Sequence, residues 1–307
     1  MELSVVSTLY RSRIFLETFL EEILKSVEAI QVKEFELIFV NDGSPDDSLD
    51  YLISRKADIP QISILDLSRN FGHHYAIQAG LTHASGKHIF LIDNDLEAPP
   101  SLLIDFYTKL KENPSADVVF GYQEDRKGGF IEKNFGKTFW YLINILSDTR
   151  IPHNILTERL MTRQFVTELL RLGDANLFLG GMLHWTGFRQ IGVPVKKGTR
   201  QGASTYSAFK RTELMLQAIT SFSSKPLEWL FYSGVVISFI SIFFIIFLVI
   251  KKLIYQDLVS IGWTSLIAVN ILILGIISTF LGIIGIYISK IFRQVQSRPN
   301  FIIRKIY

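Results

Sequence analysis

The sequence has no cysteine among its 307 residues, which excludes disulfides and thiolate metal sites. It leaves the compartment open, because that absence fits an oxidising or a reducing setting equally well. Neither G-x-G-x-x-G nor G-x-x-x-x-G-K-[ST] occurs, so a dinucleotide dehydrogenase or a P-loop nucleotide hydrolase is disfavoured. Charge is missing from two long runs. Trp229 to Ile250 holds no charged residue over 22 positions, and Leu258 to Ser289 holds none over 32. Each is long enough to cross a hydrocarbon layer of about 30 Å at about 1.5 Å per residue. Such adjacent runs read as a membrane hairpin rather than as a pair of buried core helices. No ionisable group interrupts either run, which argues for an anchor and against a polar translocation path.

Charge returns on either side of the hairpin. Lys210, Arg211 and Lys225 precede it, and Lys290, Arg293, Arg298, Arg304 and Lys305 follow it, whereas the turn sets Lys251 and Lys252 against Asp257. This bias predicts an inner or plasma membrane protein of the multi-pass type, with its large domain and both termini cytoplasmic. No cleavable N-terminal signal is expected. The formal charge of +3 is concentrated near the membrane, where anionic headgroups or a lipid phosphate are simpler partners than nucleic acid. The expected organisation is a catalytic domain over 1–208, an amphipathic juxtamembrane segment over 209–228, the hairpin over 229–289 and a basic tail over 290–307.

Before the hairpin, short apolar runs alternate with helical periods. LSVVSTL, FELIFVNDGS, ISILDLS, HIFLID and ADVVFGYQ read as strands. The segment after the first strand carries Phe15, Leu16, Phe19, Leu20, Ile23 and Leu24 at helical spacing. This alternation predicts an α/β layered domain on a mainly parallel sheet. Pro99-Pro100 should end a strand and open a helix near Ser101 to Lys111. Two further segments, Phe135 to Leu146 and Phe209 to Phe222, have one apolar side each; they could lie along the bilayer or pack on the core. Within the second apolar run, Gly275, Ser278, Gly282 and Gly285 form a stripe permitting close approach of another helix, in the hairpin or between subunits.

Chemistry is concentrated in three turns and one basic loop. In LIDNDLEAPP, Asp93 and Asp95 follow a strand, where open α/β sheets bind ligands. Two carboxylates there can hold a divalent ion, Mg²⁺ or Mn²⁺, which in turn neutralises a diphosphate. In VNDGSPDDS, Asp42 can accept hydrogen bonds from a nucleobase or ribose while Gly43 permits a tight turn. In SRNFGHHYAIQAG, Arg69 could meet phosphate; His73 and His74 are adjacent and point differently on a helix, so capping or packing suits them better than a paired metal site. The loop KKGTRQGASTYS brings Arg200 as a lipid-phosphate ligand, with Gly202, Ser204 and Tyr206 shaping the loop. Each has a bland alternative as a solvated or capping turn.

Taken in order, VNDGSPDDS, LSRNFGHHYAIQAGL, DNDLEAPP, GMLHWTGFRQ, RQGASTYS, ITSFSSKPL and YISKIFRQVQSRPNFII resemble the membrane-bound polyprenyl-phosphate glycosyltransferases of the GT-A, family 2 type. That family includes the dolichol-phosphate mannose synthases and bacterial polyprenyl-phosphate glucosyltransferases. The resemblance spans nearly the whole chain. It implies a Rossmann-like GT-A nucleotide-sugar domain with interfacial helices and a C-terminal two-helix transmembrane hairpin. It implies a nucleoside-diphosphate sugar as donor, a divalent cation, a polyprenyl phosphate as acceptor (undecaprenyl phosphate in a bacterium), a lipid bilayer and possible homo-oligomerisation. Asp42 then corresponds to a nucleotide-binding acid, Asp93 and Asp95 to the diphosphate-metal pair, and Arg200 to the arginine near the reacting phosphates, with Arg69, Ser204 and Tyr206 beside the substrates.

Three places depart from the family pattern. STLYRS puts Arg11 where many relatives have a proline-containing turn, HNILTERLMTR lacks the acid of a DFRL-like segment, and Glu97-Ala98 replaces a Gln-Asp pair. They bear on donor identity and on a dedicated base more than on the fold. The rival readings are a processive polysaccharide synthase, a transferase acting on another lipid or membrane-proximal carbohydrate, and a noncatalytic membrane scaffold.

Overall fold

Strands β1 (Leu3–Leu9), β2 (Phe35–Asn41), β3 (Ile62–Leu67) and β4 (His88–Leu91) form where short apolar runs are buried nearly throughout, the pattern of strands covered on both faces. In the computed structural model, which describes residues 1–123, 154–177, 179–196, 223–254 and 263–307, these four pair in parallel in the order β4-β1-β2-β3. Helices α1 (Arg13–Ala29), α2 (Ser48–Lys56) and α3 (His73–His83) make the crossovers. They are followed by α4 (Leu102–Glu112), β5 (Val118–Tyr122), β6 (Ile155–Thr162), α5 (Arg163–Arg171), α6 (Leu179–Trp185) and β7 (Gln190–Pro194). Two long helices, α7 (Lys225–Ile254) and α8 (Trp263–Gln296), precede a last strand, β8 (Ile303–Ile306).

The sheet is layered between two apolar clusters. On one face α1 and α4 bury Leu16, Phe19, Ile23, Leu103 and Phe106 against it. Phe19 meets Phe39 edge-on at 6.0 Å, and Phe106 meets Phe90 in the same way at 6.1 Å, contacts that add about 0.5–1.5 kcal/mol each beyond area burial. On the other face α3 and α5 supply Ala76, Ile77, Phe165 and Val166. Small residues set the height of α3, because a β-carbon on Gly80 would run into Val6 of β1.

The eight strands run in the order β7-β5-β6-β4-β1-β2-β3-β8. The expected parallel pairing holds through β4-β1-β2-β3 and again between β5 and β7. β6 lies antiparallel between β4 and β5, and β8 lies antiparallel to β3, so the sheet is mixed. β6 is the divergent segment ILTERLMT, whose Glu158 and Arg159 are 1% and 3% exposed. Two buried charges within eight residues hide the strand from an apolar pattern. Arg159 Nε and Nη2 donate to the carbonyls of Thr157 and Leu156 at 2.9 and 2.7 Å.

Residues 290–307, expected as a basic tail, take up secondary structure. Residues up to Gln296 continue α8, and the last residues enter the sheet as β8. Arg304, counted among the cations facing headgroups, instead donates through Nη2 to the Ser68 carbonyl at 2.7 Å. The inner end of α8 is fastened to the domain as well. Gln294 accepts from Ala175 N–H at 2.8 Å and donates to the Gly173 carbonyl at 3.1 Å. Asn300 Nδ2 bridges Gln78 Oε1 and the Asp174 carbonyl, each at 2.9 Å.

Helices α7 and α8 contain stretches, Lys225–Phe244 and Ile273–Gln296, that are long and apolar enough to cross a membrane by length and composition. Neither is buried within the protein, and Phe231, Phe243 and Leu281 are more than 60% exposed. Among the described residues, a β-carbon on Gly275, Gly282 or Gly285 would meet nothing within 4 Å, so that much of the small-residue stripe has room for an approaching helix. The amphipathic segments Phe135 to Leu146 and Phe209 to Phe222 lie outside the described residues.

His184 on α6 stands edge-on to Phe120 at 5.8 Å. Burial, aided by the charge of Arg159, pushes its imidazole from the ordinary 6.5 down to about 4. A histidine whose folded value is depressed stabilises the protein fully above its ordinary value and loses that contribution as pH falls through the window down to about 4. Denaturant unfolding should therefore report up to about 3 kcal/mol less stability across that interval. A His184→Phe variant should lose part of that slope.

Candidate active site at the carboxyl ends of the strands

Because β1 to β4 are parallel, Leu9, Asn41, Leu67 and Leu91 end at one edge of the sheet, and the turns after them share that edge. The strand order reverses around β1, the kind of crevice in which open α/β sheets bind ligands. The three acidic or basic turns picked out in the sequence are thus brought together, with β1 between them.

Asp42 closes the first of these contacts. Its Oδ1 accepts the N–H of Phe71 at 2.7 Å and its Oδ2 accepts that of Gly72 at 3.0 Å. The side chain is 3% exposed. Burial raises its pKa against the pull of those two hydrogen bonds and of the His73 and Arg69 charges. This carboxylate, expected to accept hydrogen bonds from a nucleobase or ribose, holds the loop between β3 and α3. Gly43, at φ 62°, needs the left-handed region, and a β-carbon there would come within 2.7 Å of Asn70 N. The β2 and β3 turns therefore pack backbone against backbone, which only glycine permits.

Asp46 ties the β2 turn to the β1 turn. Ser44 and Ser48 hydroxyls each donate to its Oδ1 at 2.6 Å, and Arg13 N–H donates to Oδ2 at 3.1 Å. Burial alone would raise its pKa, but these hydrogen bonds prevail and hold the carboxylate below its ordinary range. Arg11, in the departure from the proline-containing turn, adopts φ 55° and donates its N–H to Ser44 Oγ at 2.7 Å. Arg69 is exposed, with its guanidinium 4.1 Å from the Phe71 ring centroid and Nη1 on the Asn70 carbonyl.

The Asp93-Asn94-Asp95 turn is held by its middle residue. Asn94 is 4% exposed and donates through Nδ2 to the Thr8 carbonyl at 2.8 Å. Asp93 and Asp95 flank it half-buried. Asp95 Oδ1 accepts Glu97 N–H at 3.1 Å across Leu96, whose φ is 58°. His73, at the start of α3, lies with Nε2 3.6 Å from Asp93 Oδ1, while its Nδ1 is 3.1 Å from the Thr8 hydroxyl. Thr8 thereby places both the acidic turn and the imidazole. Sequence reasoning gave His73 a capping or packing role and did not consider Thr8. The available signal was Gly72, which frees the backbone at the start of the helix.

Arg159 lies below this turn, paired with Leu91 across β4 and β6. Burial lowers its pKa to about 10 against the pull of Glu158 and Asp93, so it remains a cation at neutral pH beneath the acids. Among the described residues, no three His, Asp or Glu side chains converge closely enough to hold an ion by themselves. Asp93 and Asp95 offer hard oxygen donors as a partial shell, and a diphosphate would have to supply the rest. That arrangement fits Mg²⁺, which is usually held by one or two carboxylates plus substrate phosphates. Arg200, Ser204 and Tyr206 lie outside the described residues.

The family model for glycosyl transferase family 2 matches residues 4–170, more than half of the chain. The chain belongs to glycosyl transferase family 2. The family match runs from β1 into α5 and contains every turn described above. A glycosyltransferase relative from Mycobacterium tuberculosis (strain CDC 1551 / Oshkosh) is 40% identical, covering 100% of this chain and 89% of its own length. The SfII prophage-derived bactoprenol glucosyl transferase of Shigella flexneri is 32% identical, covering 99% of this chain and 98% of its own. Among solved structures, the mannosyltransferase PcManGT from Pyrobaculum calidifontis, in complex with GDP-Man and Mn²⁺, aligns with a TM-score of 0.51 at 15% identity, covering 96% of this chain and 86% of its own. That likeness bears on the fold, which is GT-A-like, and the chain is a glycosyltransferase of this family.

Proposed function

We propose that this glycosyltransferase moves a hexose-type sugar from a nucleoside diphosphate to a polyprenyl phosphate, at the face of a membrane spanned by α7 and α8. The observation that carries the reading is the full-length match to a bactoprenol glucosyl transferase. The two exposed apolar helices support it, and α8 is bonded at its carboxyl-terminal end to the catalytic domain. Because β8 pairs with β3, the chain end and the catalytic domain share one side of the proposed membrane; the distribution of lysine and arginine favours the cytoplasmic side.

In this reading an oxygen of the lipid phosphate attacks the anomeric carbon as the bond to the nucleoside diphosphate breaks, inverting that centre. The nucleophile is already ionised near neutral pH, so alignment and charge compensation matter more than a strong base. Mg²⁺ or Mn²⁺ bound by Asp93 and Asp95 would supply neutralisation of the leaving diphosphate. Asn94 and Thr8 keep the two acids at the strand end, and His73 borders them on the α3 side. Asp42 shapes the donor pocket by clamping Phe71 and Gly72, and the exposed Arg69 beside them would meet phosphate. Arg200 is assigned to the acceptor phosphate on sequence grounds, with Ser204 and Tyr206 in the same loop.

Purified protein in lipid, given a panel of nucleotide sugars, Mn²⁺ or Mg²⁺ and undecaprenyl phosphate, should yield a lipid product heavier by one sugar residue in mass spectrometry. Polymer, or sugar found only on another acceptor, would overturn the reading.

A further inference from the structure

The residues after α8 belong to no donor motif, yet they are bonded into the donor site. β8 covers the edge of β3 through backbone bonds, among them Tyr307 N–H to the Ile64 carbonyl at 3.0 Å and Ser68 N–H to the Ile302 carbonyl at 2.9 Å. Arg304 adds side-chain contacts at the carboxyl end of that strand. Its Nη2 donates to the Ser68 carbonyl at 2.7 Å, immediately before Arg69, and its Nε lies 3.7 Å from Asp66 Oδ2.

From Asp66 the contacts lead inward. Asp66 is 3% exposed, and its Oδ1 accepts Asn41 Nδ2 at 2.8 Å. Asn41 is 4% exposed, and its Oδ1 accepts Ser44 N–H at 3.0 Å. Ser44 Oγ in turn accepts the Arg11 N–H. The ends of β3, β2 and β1 are thereby connected in series to one arginine three residues before Tyr307. Burial of Asp66 and Asn41 removes water as an alternative partner, which makes each link more directional.

We propose that Arg304 is a positioning residue for the nucleotide-sugar donor: it holds the carboxyl end of β3 and, through Asp66 and Asn41, sets the Asp42 to Ser44 turn that receives the nucleotide. This rests on the donor reading of the strand-end crevice. Simple protection of a sheet edge would use only the backbone of β8 and would place no demand on the side chain at 304. The side chain is 61% exposed, so screening limits the effect to about two- to fivefold in affinity.

The test uses the full chain in lipid nanodiscs, titrated calorimetrically with UDP and with GDP in the presence of Mn²⁺, together with steady-state kinetics. Arg304→Ala should raise the Kd for the nucleotide that the wild type binds, and the donor KM, about two- to fivefold. It should leave kcat, the lipid acceptor KM and the melting temperature near wild type. Arg304→Lys should recover part of the loss, and Lys305→Ala on the same strand should change nothing. Unchanged nucleotide affinity in Arg304→Ala would overturn this inference alone. A parallel fall in kcat, both KM-derived affinities and melting temperature would also overturn it, by assigning Arg304 a purely structural role. A wild type that binds neither nucleotide would instead remove the donor reading.

Discussion

A protein carrying Asp93→Ala and Asp95→Ala together should lose sugar transfer by at least about 10³-fold, since removing a single preorganised electrostatic contact at a developing charge already costs about 10²–10³-fold. It should nevertheless fold. The turn is fixed by Asn94, buried and bonded to the Thr8 carbonyl, while the substitutions give up the Asp95 bond to Glu97 N–H and the Asp93 contact with His73. Removing both acids leaves Arg159 as a buried cation with less compensation beneath the turn, so a modest fall in melting temperature should accompany the loss. Two measurements separate the roles: transfer to undecaprenyl phosphate, and nucleotide affinity with and without Mn²⁺. If affinity in the wild type rises with Mn²⁺ and this dependence disappears in the variant, the acids hold the ion. Full transfer by the folded variant would sink the assignment.

Asp42→Ala should be the most damaging single change at the site for stability. It would strip the acceptor from two backbone N–H groups, those of Phe71 and Gly72, in a place where the side chain itself is 3% exposed. Leaving buried donors unsatisfied costs about 1–3 kcal/mol each, so about 2–5 kcal/mol is expected in denaturant unfolding. Asp42→Asn keeps the shape and one acceptor oxygen but turns an amide NH₂ toward a second N–H, and should fall between the two. Donor affinity should fall with stability in both variants, because the same bonds place His73 beside the acidic turn. A variant with wild-type stability and weakened nucleotide binding would point back to direct contact between Asp42 and the nucleotide.

Asp42 illustrates how a site can be legible while the role of a residue in it is not. VNDGSPDDS marks a turn after a strand, and the turn is there. Which way the carboxylate faces depends on Phe71 and Gly72, 29 and 30 residues later, and no local pattern encodes that meeting. His73 shows the converse. Its sequence setting suggests packing, whereas the parallel register of β1 and β4 brings Thr8 and Asp93 to it. β6 was hidden because buried charges broke the apolar run, and its arginine is tolerated there by carbonyl groups of its own strand. β8 was hidden for a different reason. A four-residue strand rich in cations, IRKI, reads as a solvated tail until β3 offers it an edge.

The sequence by itself determined the family, the strand-end placement of Asp93 and Asp95, and the presence of a pair of apolar helices, because periodicity, turn chemistry and missing charge are local properties of the chain. Tertiary structure decided that the sheet is mixed, that Asp42 clamps a neighbouring loop, that His73 borders the acids, and that Arg304 reaches the carboxyl end of β3. Those outcomes depend on strand order and register, which bring together residues separated by tens to hundreds of positions.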